Sequence, residues 1–180
     1  MRKRLVQQLD GLGRYAYCLT GNRDNARDLV QSCAVKALSA KKVPYNDVAF
    51  RAWLFKILRN VFLDNLRKKA TEDKILSELT EDSLIQGNNQ QGLNVYSIEQ
   101  RKINILAVHE GLARLKAGQR EILVLVDMIG FSYNEVADVL QVPVGTVMSR
   151  LNRSRNAMLR EIDGTTKTGL ASVTPIGSRK

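Results

Sequence analysis

The 180-residue sequence predicts an all-α fold: two small helical domains joined by a flexible acidic linker. Three observations carry that prediction. Apolar residues recur at helical spacing along the chain, and no stretch alternates as a half-buried strand requires. Two basic blocks flank an acidic stretch, Thr71 to Glu99, which holds six acids against one lysine and contains the polar run QGNNQQG. Residues 131–162 read as two helices joined by a tight turn, a pattern suited to reading duplex DNA.

The first helix is predicted over residues 4–19, with Leu5, Leu9, Leu12, Ala16 and Leu19 on one stripe and with Gly11 and Gly13 weakening it. Thr20-Gly21-Asn22 breaks it. Asn22 or Asp24 can cap the second helix, which buries Ala26, Val30, Cys33 and Ala37 and exposes Asp24, Asp28, Gln31 and Ser32. After a loop around Pro44, the third helix places Phe50, Leu54, Ile57 and Val61 on one face, with Trp53, Leu58 and Phe62 beside it. From Arg51 to Lys69 it carries six bases against one acid. Basic residues interleaved with aromatics suit a surface where single-stranded bases stack beside a neutralised backbone. The alternative, that these aromatics are simply core, stays open at this point. Residues 71–80 read as frayed helix and 81–96 as linker.

In the second unit, Ser97 and Gln100 have capping-box spacing, and Ile105, Val108, Leu112 and Leu115 follow along one helix. Another starts near Gln119, buries Ile122, Leu123, Val126 and Ile129, and ends at Gly130. Ser132 and Glu135 repeat the capping-box spacing ahead of Val136, Ala137 and Leu140. Pro143 stops that helix, because it lacks an N–H and holds Val142 extended. A last helix begins near Gly145. Val147, Leu151, Ser154, Met158 and Ile162 fall on one stripe, while Ser149, Asn152, Arg153, Asn156 and Arg160 fall opposite. Met148 to Arg160 holds four arginines and no acid. Such a face suits the major groove, where Arg, Asn and Ser bond base edges and phosphates; an ordinary solvated basic face is the bland alternative. Residues 163–180 lose periodicity and are expected to be a disordered tail.

Composition narrows the function. A net charge of +10 and a pI near 9.9 point to a polyanionic partner, nucleic acid first. Cys18 and Cys33 both sit at apolar helical positions, so reduced buried thiols are expected. The N-terminus lacks the apolar core of a signal peptide, and Ile122 to Val126 is too short to span a bilayer, so a cytoplasmic protein without membrane insertion is expected. The single histidine, His109, has no ligand cluster around it, and no nucleophile–base constellation is evident. Neither a metal, a cofactor nor an enzymatic activity is expected.

Three blocks then resemble a known family. Arg27-Asp28-Leu29-Val30-Gln31 resembles the DLVQ motif of small bacterial RNA polymerase sigma factors of the extracytoplasmic-function (ECF, sigma-70-like) type. Phe50-Arg51-Ala52-Trp53-Leu54 through Leu66-Arg67 resembles their promoter-melting helices. Leu115 through Glu161, with Gln119-Arg120-Glu121, Ser132 to Ala137 and Pro143 to Leu151, resembles their C-terminal helix-turn-helix. Together the blocks cover most of residues 14–162, in family order. The PVGTVMSRL form is similar to the EcfG-like general stress-response subgroup.

The resemblance implies a sigma region 2-like domain over 1–70, an acidic linker over 71–96, a sigma region 4-like domain over 97–162 and a tail over 163–180. It implies that Asp28 and Gln31 grip the clamp of core RNA polymerase. In the same way Asn60 would sit near a flipped base of the −10 promoter element, with Arg59, Arg67 and Lys68 on the backbone. For the −35 element, Met148, Ser149, Asn152 and Arg153 would read bases, with Thr146 and Arg150 nearer phosphates. Promoter DNA, core polymerase and an anti-sigma factor are the implied partners. Many relatives carry an acid at the Ser32 position, a departure that bears on the grip on the clamp, and some make an arginine contact where Met148 stands, so their base preference does not transfer. A sigma-like decoy for an anti-sigma factor and a stand-alone helix-turn-helix regulator are the competing readings.

Overall fold

The computed structural model describes residues 1–79, 108 and 110–170. Helix α1 spans Arg2–Thr20 and α2 spans Arg23–Leu38. The break between them is closed by Gly21, whose φ of 67° is the left-handed conformation, and its N–H donates to the Tyr17 carbonyl. Asn22 caps α2, its Oδ1 accepting from the backbone N–H groups of Asp24 (2.8 Å) and Asn25 (3.1 Å). The side chain of Asn46 plays the same part for α3, which spans Asp47–Leu79, accepting from Val48 N (2.8 Å).

These three helices bury Leu5, Leu12, Tyr15 and Ala16 from α1, Ala26, Leu29, Cys33 and Ala37 from α2, and Phe50, Leu54, Leu58 and Val61 from α3. Leu9, placed on the stripe by spacing, is instead exposed, and Tyr15 takes a core place. Gly11 has a packing reason: a Cβ there would lie 3.3 Å from the Phe55 ring, so the absent side chain lets α1 approach α3. Cys33 is buried against the Leu54 carbonyl, and both cysteines are free.

In the second unit residues 110–114 are helical, α4 spans Ala117–Leu123, and it runs into a single π-helical turn over Val124–Met128. Gly130, with φ 77°, ends the segment as expected. Helix α5 spans Tyr133–Leu140, and its capping box is complete. Glu135 N–H donates to Ser132 Oγ (3.3 Å), and Ser132 N–H donates to Glu135 Oε2 (2.8 Å). Gln141 turns the chain with φ 57°, and the Pro143 carbonyl accepts from Thr146 N and Val147 N to open α6, Val144–Leu170. Val147, Leu151 and Ser154 are buried along α6 as the stripe predicts, with Met158 and Ile162 half-buried.

One expectation changes. The helix that begins at Val144 continues to Leu170, so residues 163–170 are not a disordered tail. Neither Gly164 nor Gly169 breaks it, and each costs a helix only about 1 kcal/mol relative to alanine. Helix α3 runs unbroken to Leu79, so the residues from 71 onward that read as frayed helix continue it past the domain boundary drawn at residue 70. The linker at 81–96, the Ser97 capping box, Ile105, His109 and the end of the tail lie outside the described residues. Among the described residues there is no strand, no helix long and apolar enough to cross a membrane, and no cluster of metal ligands.

The two units pack together. Helix α5 lies against α3, while α4 and the π-helical turn meet α1. Phe55 is held from both units: its ring lies 5.4 Å from that of Tyr15 on α1 and meets Phe131 edge-on, ring centroids 4.8 Å apart at 87°.

Candidate nucleic-acid interface

Helix α6 buries one side and presents the other. Met148, Ser149, Arg150, Asn152 and Arg153 are all exposed, and Thr146 is half-buried at the helix start. Their common orientation follows from the helical period, because Val147, Leu151 and Ser154 hold the opposite side in the core. The small unit achieves this with few residues: α4 and α5 supply the floor under α6. Ser154, a buried hydroxyl on the apolar stripe, is satisfied by donating to the Arg150 carbonyl (2.8 Å). Arg153 Nε donates to the Ser149 carbonyl one turn back at 3.3 Å, leaving the rest of the guanidinium fork outward.

Arg155, which flanks the stripe, behaves differently. It forms a bidentate pair with Asp127 of the π-helical turn, at 3.2 and 2.6 Å. The hydrogen bonds to that carboxylate raise its pKa further. One of the four arginines between Met148 and Arg160 is therefore structural.

On the N-terminal unit, Asp28, Gln31 and Ser32 are exposed together on α2, next to an exposed Val35. A shallow groove of about 420 Å³ separates this face from α3, lined by Ser32, Lys36, Val61, Asp64, Asn65, Arg67 and Lys68. Asp64 anchors its floor, pairing with Arg67 (3.2 Å) and Lys36 (3.7 Å). Asn60 and Lys68 are open to solvent. The aromatics divide. Phe50 and Phe55 are core; Trp53 and Phe62 are half-buried, with Trp53 tilted against Phe50 at 5.6 Å between centroids.

Arg59 is separated from Asn60, Arg67 and Lys68 by its partner. Its Nε donates to Glu121 Oε1 of α4 at 3.0 Å, and the same oxygen accepts the Tyr15 hydroxyl at 2.7 Å. Both charged side chains are largely covered, 20% and 13% exposed. Burial, reinforced by the neighbouring Glu121 carboxylate, pushes the Tyr15 hydroxyl well above its ordinary pKa, so it stays a donor. About two turns earlier on α3, Arg51 donates to the Ile129 carbonyl and lays its guanidinium 4.2 Å from the centroid of the Phe131 ring. Sequence reasoning missed Tyr15, Glu121 and Phe131 as a set. Each looks locally like a core or surface helix position, and no local periodicity links residues 106 positions apart.

A basic helical unit with a polar groove and a second unit built as a helix-turn-helix define a two-part DNA-binding protein of the all-α class. Residues 5–72 match the sigma-70 region 2 family model, and residues 105–158 match sigma-70, region 4. The chain is 32% identical to the ECF RNA polymerase sigma factor EcfG of Rhodopseudomonas palustris, over 91% of this chain and 87% of that protein. It is 30% identical to the ECF sigma factor SigC of Mycobacterium tuberculosis, over 81% of this chain and 74% of that one. Among solved structures it resembles the sigma factor RpoE in complex with the anti-sigma factor NepR from Bartonella quintana, with a TM-score of 0.67 and 30% identity, covering 90% of this chain and 96% of that one. The chain belongs to the ECF RNA polymerase sigma factors, a family of non-catalytic transcription-initiation subunits.

Proposed function

We propose that this chain directs core RNA polymerase to promoters of a stress regulon by reading a −35 element with α6 and opening a −10 element on α3. It works in the cytoplasm without catalysing a reaction itself. The observation that carries the reading is the outward face of Met148, Ser149, Arg150, Asn152 and Arg153 on a helix whose other side is locked in a core. Exposed Asn and Arg side chains at successive positions can bond base edges bidentately, while Thr146 and Arg150 near the helix start suit phosphates. On the N-terminal unit, Asn60 would meet an unstacked base, and Arg59, Arg67 and Lys68 would neutralise its strand. Asp28 and Gln31 would grip the polymerase. The likeness to a sigma factor captured with NepR favours a small anti-sigma protein as a further partner.

The domain assignment follows the same logic: residues 1–70 melt, 71–96 connect, and 97–162 recognise. The acidic stretch between them, repelled by DNA phosphates, would pass through the polymerase without competing for the template. Run-off transcription with purified core polymerase on genomic promoter fragments tests the proposal. Initiation that depends on this chain, at a defined set of promoters, is the expected result. Tight binding to an anti-sigma protein without any initiation would replace it with the decoy reading.

A further inference from the structure

Met148 departs in chemistry from the rest of the outward face of α6. It is 54% exposed, and its neighbours on that side are Ser149, Arg150, Asn152 and Arg153. The polar members have hydrogen-bonding groups to offer base edges or phosphates. The methionine has no donor, and its thioether is a weak acceptor. A lone exposed apolar side chain is ordinary on a protein surface. Met148 is set apart by its place. It is the fifth residue of α6, in the N-terminal part of the second helix of a helix-turn-helix, which is the part that meets base edges. Leu159, also apolar and 59% exposed, lies about 16 Å further along the same helix.

Among the groups that base pairs show in the major groove, one is apolar: the C5 methyl of thymine. The others are donors or acceptors. We propose that Met148 reads a C5-methyl group in the −35 element, that of thymine or equally that of 5-methylcytosine, so that this promoter position is recognised by apolar contact and not by a hydrogen bond. The proposal rests on the assignment of α6 to the −35 element made above. The surroundings of Met148 fit the task. Val147 beside it is fully buried, which fixes the rotation of the helix and keeps Met148 outward. Ser149 Oγ donates to the Thr146 carbonyl at 3.1 Å and Arg153 Nε to the Ser149 carbonyl at 3.3 Å, so polar groups next to the methionine are engaged on their own helix. An unbranched thioether adjusts its three rotatable bonds to meet a methyl group. Asn152 stands one turn on, about 6 Å along the axis, against a rise of about 3.4 Å per base pair. The two side chains therefore reach different base pairs, and the amide, which suits adenine N6 and N7, gives a separate signal.

The test uses holoenzyme assembled from the full chain and core polymerase, on a promoter found by run-off transcription. Uracil replaces each thymine of the −35 element in turn, on either strand. This removes the methyl and leaves the hydrogen-bonding groups in place. Wild-type holoenzyme should lose affinity roughly fourfold at one thymine, the effect of one buried methyl group. Met148→Ala should bind thymine and uracil alike there, while keeping its preference for the base read by Asn152. Met148→Leu should keep most of the fourfold difference, and Leu159→Ala should behave as wild type. At the same position 5-methylcytosine should bind better than cytosine with wild type and not with Met148→Ala. Uracil tolerated at every thymine by wild type would overturn the proposal. So would a thymine–uracil difference that survives in Met148→Ala or vanishes in Leu159→Ala, or equal binding of cytosine and 5-methylcytosine by wild type. The reading beneath it fails separately: a wild-type holoenzyme indifferent to every base change in the −35 region means that α6 is not a reader, and the methyl contact falls with it. A holoenzyme that discriminates those bases but accepts uracil throughout refutes the methyl contact alone.

Discussion

Arg153 and Arg155 stand two residues apart on α6 in opposite surroundings. Arg155 grips Asp127 with two bonds, at 3.2 and 2.6 Å, between side chains 48% and 37% exposed. Two charges about 4 Å apart attract by roughly 1 kcal/mol in water and about 4 kcal/mol at a protein surface. Side-chain ordering and screening reduce the net to about 0.5–1 kcal/mol for an exposed pair of good geometry. Arg155→Ala should therefore cost the C-terminal unit that much in urea unfolding, with the difference shrinking in about 1 M salt. Arg153 makes one long intrahelical bond and is otherwise exposed, so Arg153→Ala should move stability by less than about 0.5 kcal/mol. Its loss should appear in promoter discrimination, costing about 1–3 kcal/mol against the preferred base if it reads that base. The assay pairs urea unfolding with competition between a cognate −35 duplex and single-base variants. Loss of discrimination in Arg155→Ala with Arg153→Ala neutral would refute the assignment. A uniform loss across all DNA sequences in Arg153→Ala would move it to a phosphate contact.

Ser132→Ala removes the acceptor for Glu135 N–H and should destabilise α5 by about 1 kcal/mol, read as an earlier urea midpoint with an unchanged slope. Leu151→Ala empties a 2%-exposed site under α6 and should cost about 2–5 kcal/mol, enough to loosen −35 binding without touching any exposed group. Burial pushes the Cys18 and Cys33 thiols up to about 12, so both should resist alkylation at pH 8 and react readily in denaturant. The folded state then holds protons that the unfolded state releases, so their contribution to stability is complete below about pH 9 and is lost as pH rises towards 12. A flat stability profile over that range would contradict their burial.

Much of the architecture could be read from periodicity. The α6 stripe of Val147, Leu151 and Ser154 is buried as spaced, the Ser132–Glu135 box caps α5, Asn22 caps α2, and Gly130 ends its segment in a left-handed conformation. Each depends on residues within a turn of one another, where local rules act. Features set by distant partners were not legible. Phe55 is enclosed by Tyr15 from α1 and by Phe131 from the other unit, and Leu9 is exposed because no neighbour covers its place on the stripe. The π-helical turn over Val124–Met128 carries no breaker residue to announce it. Within the candidate site, the exposed face of α6 followed directly from the sequence. The separation of Arg155 from its neighbours did not, because it needs Asp127, 28 residues away.

Helix α3 shows why its composition was ambiguous. A ring beside a cation serves equally in a core, under a partner domain or beneath a base, since all three need an apolar face next to a positive charge. The structure assigns Phe50 to the first role and Phe55 to the first and second together, while Trp53 keeps part of its surface open. The contact that covers the helix is built around a charge pair and not around aliphatic side chains alone. Burying Arg59 and Glu121 takes both from water, and such pairs recover little net stability over apolar replacements. They nevertheless demand their partners, because either one left buried alone is strongly unfavourable. A contact of that kind is specific in geometry but modest in strength, as interfaces between the units of one chain commonly are.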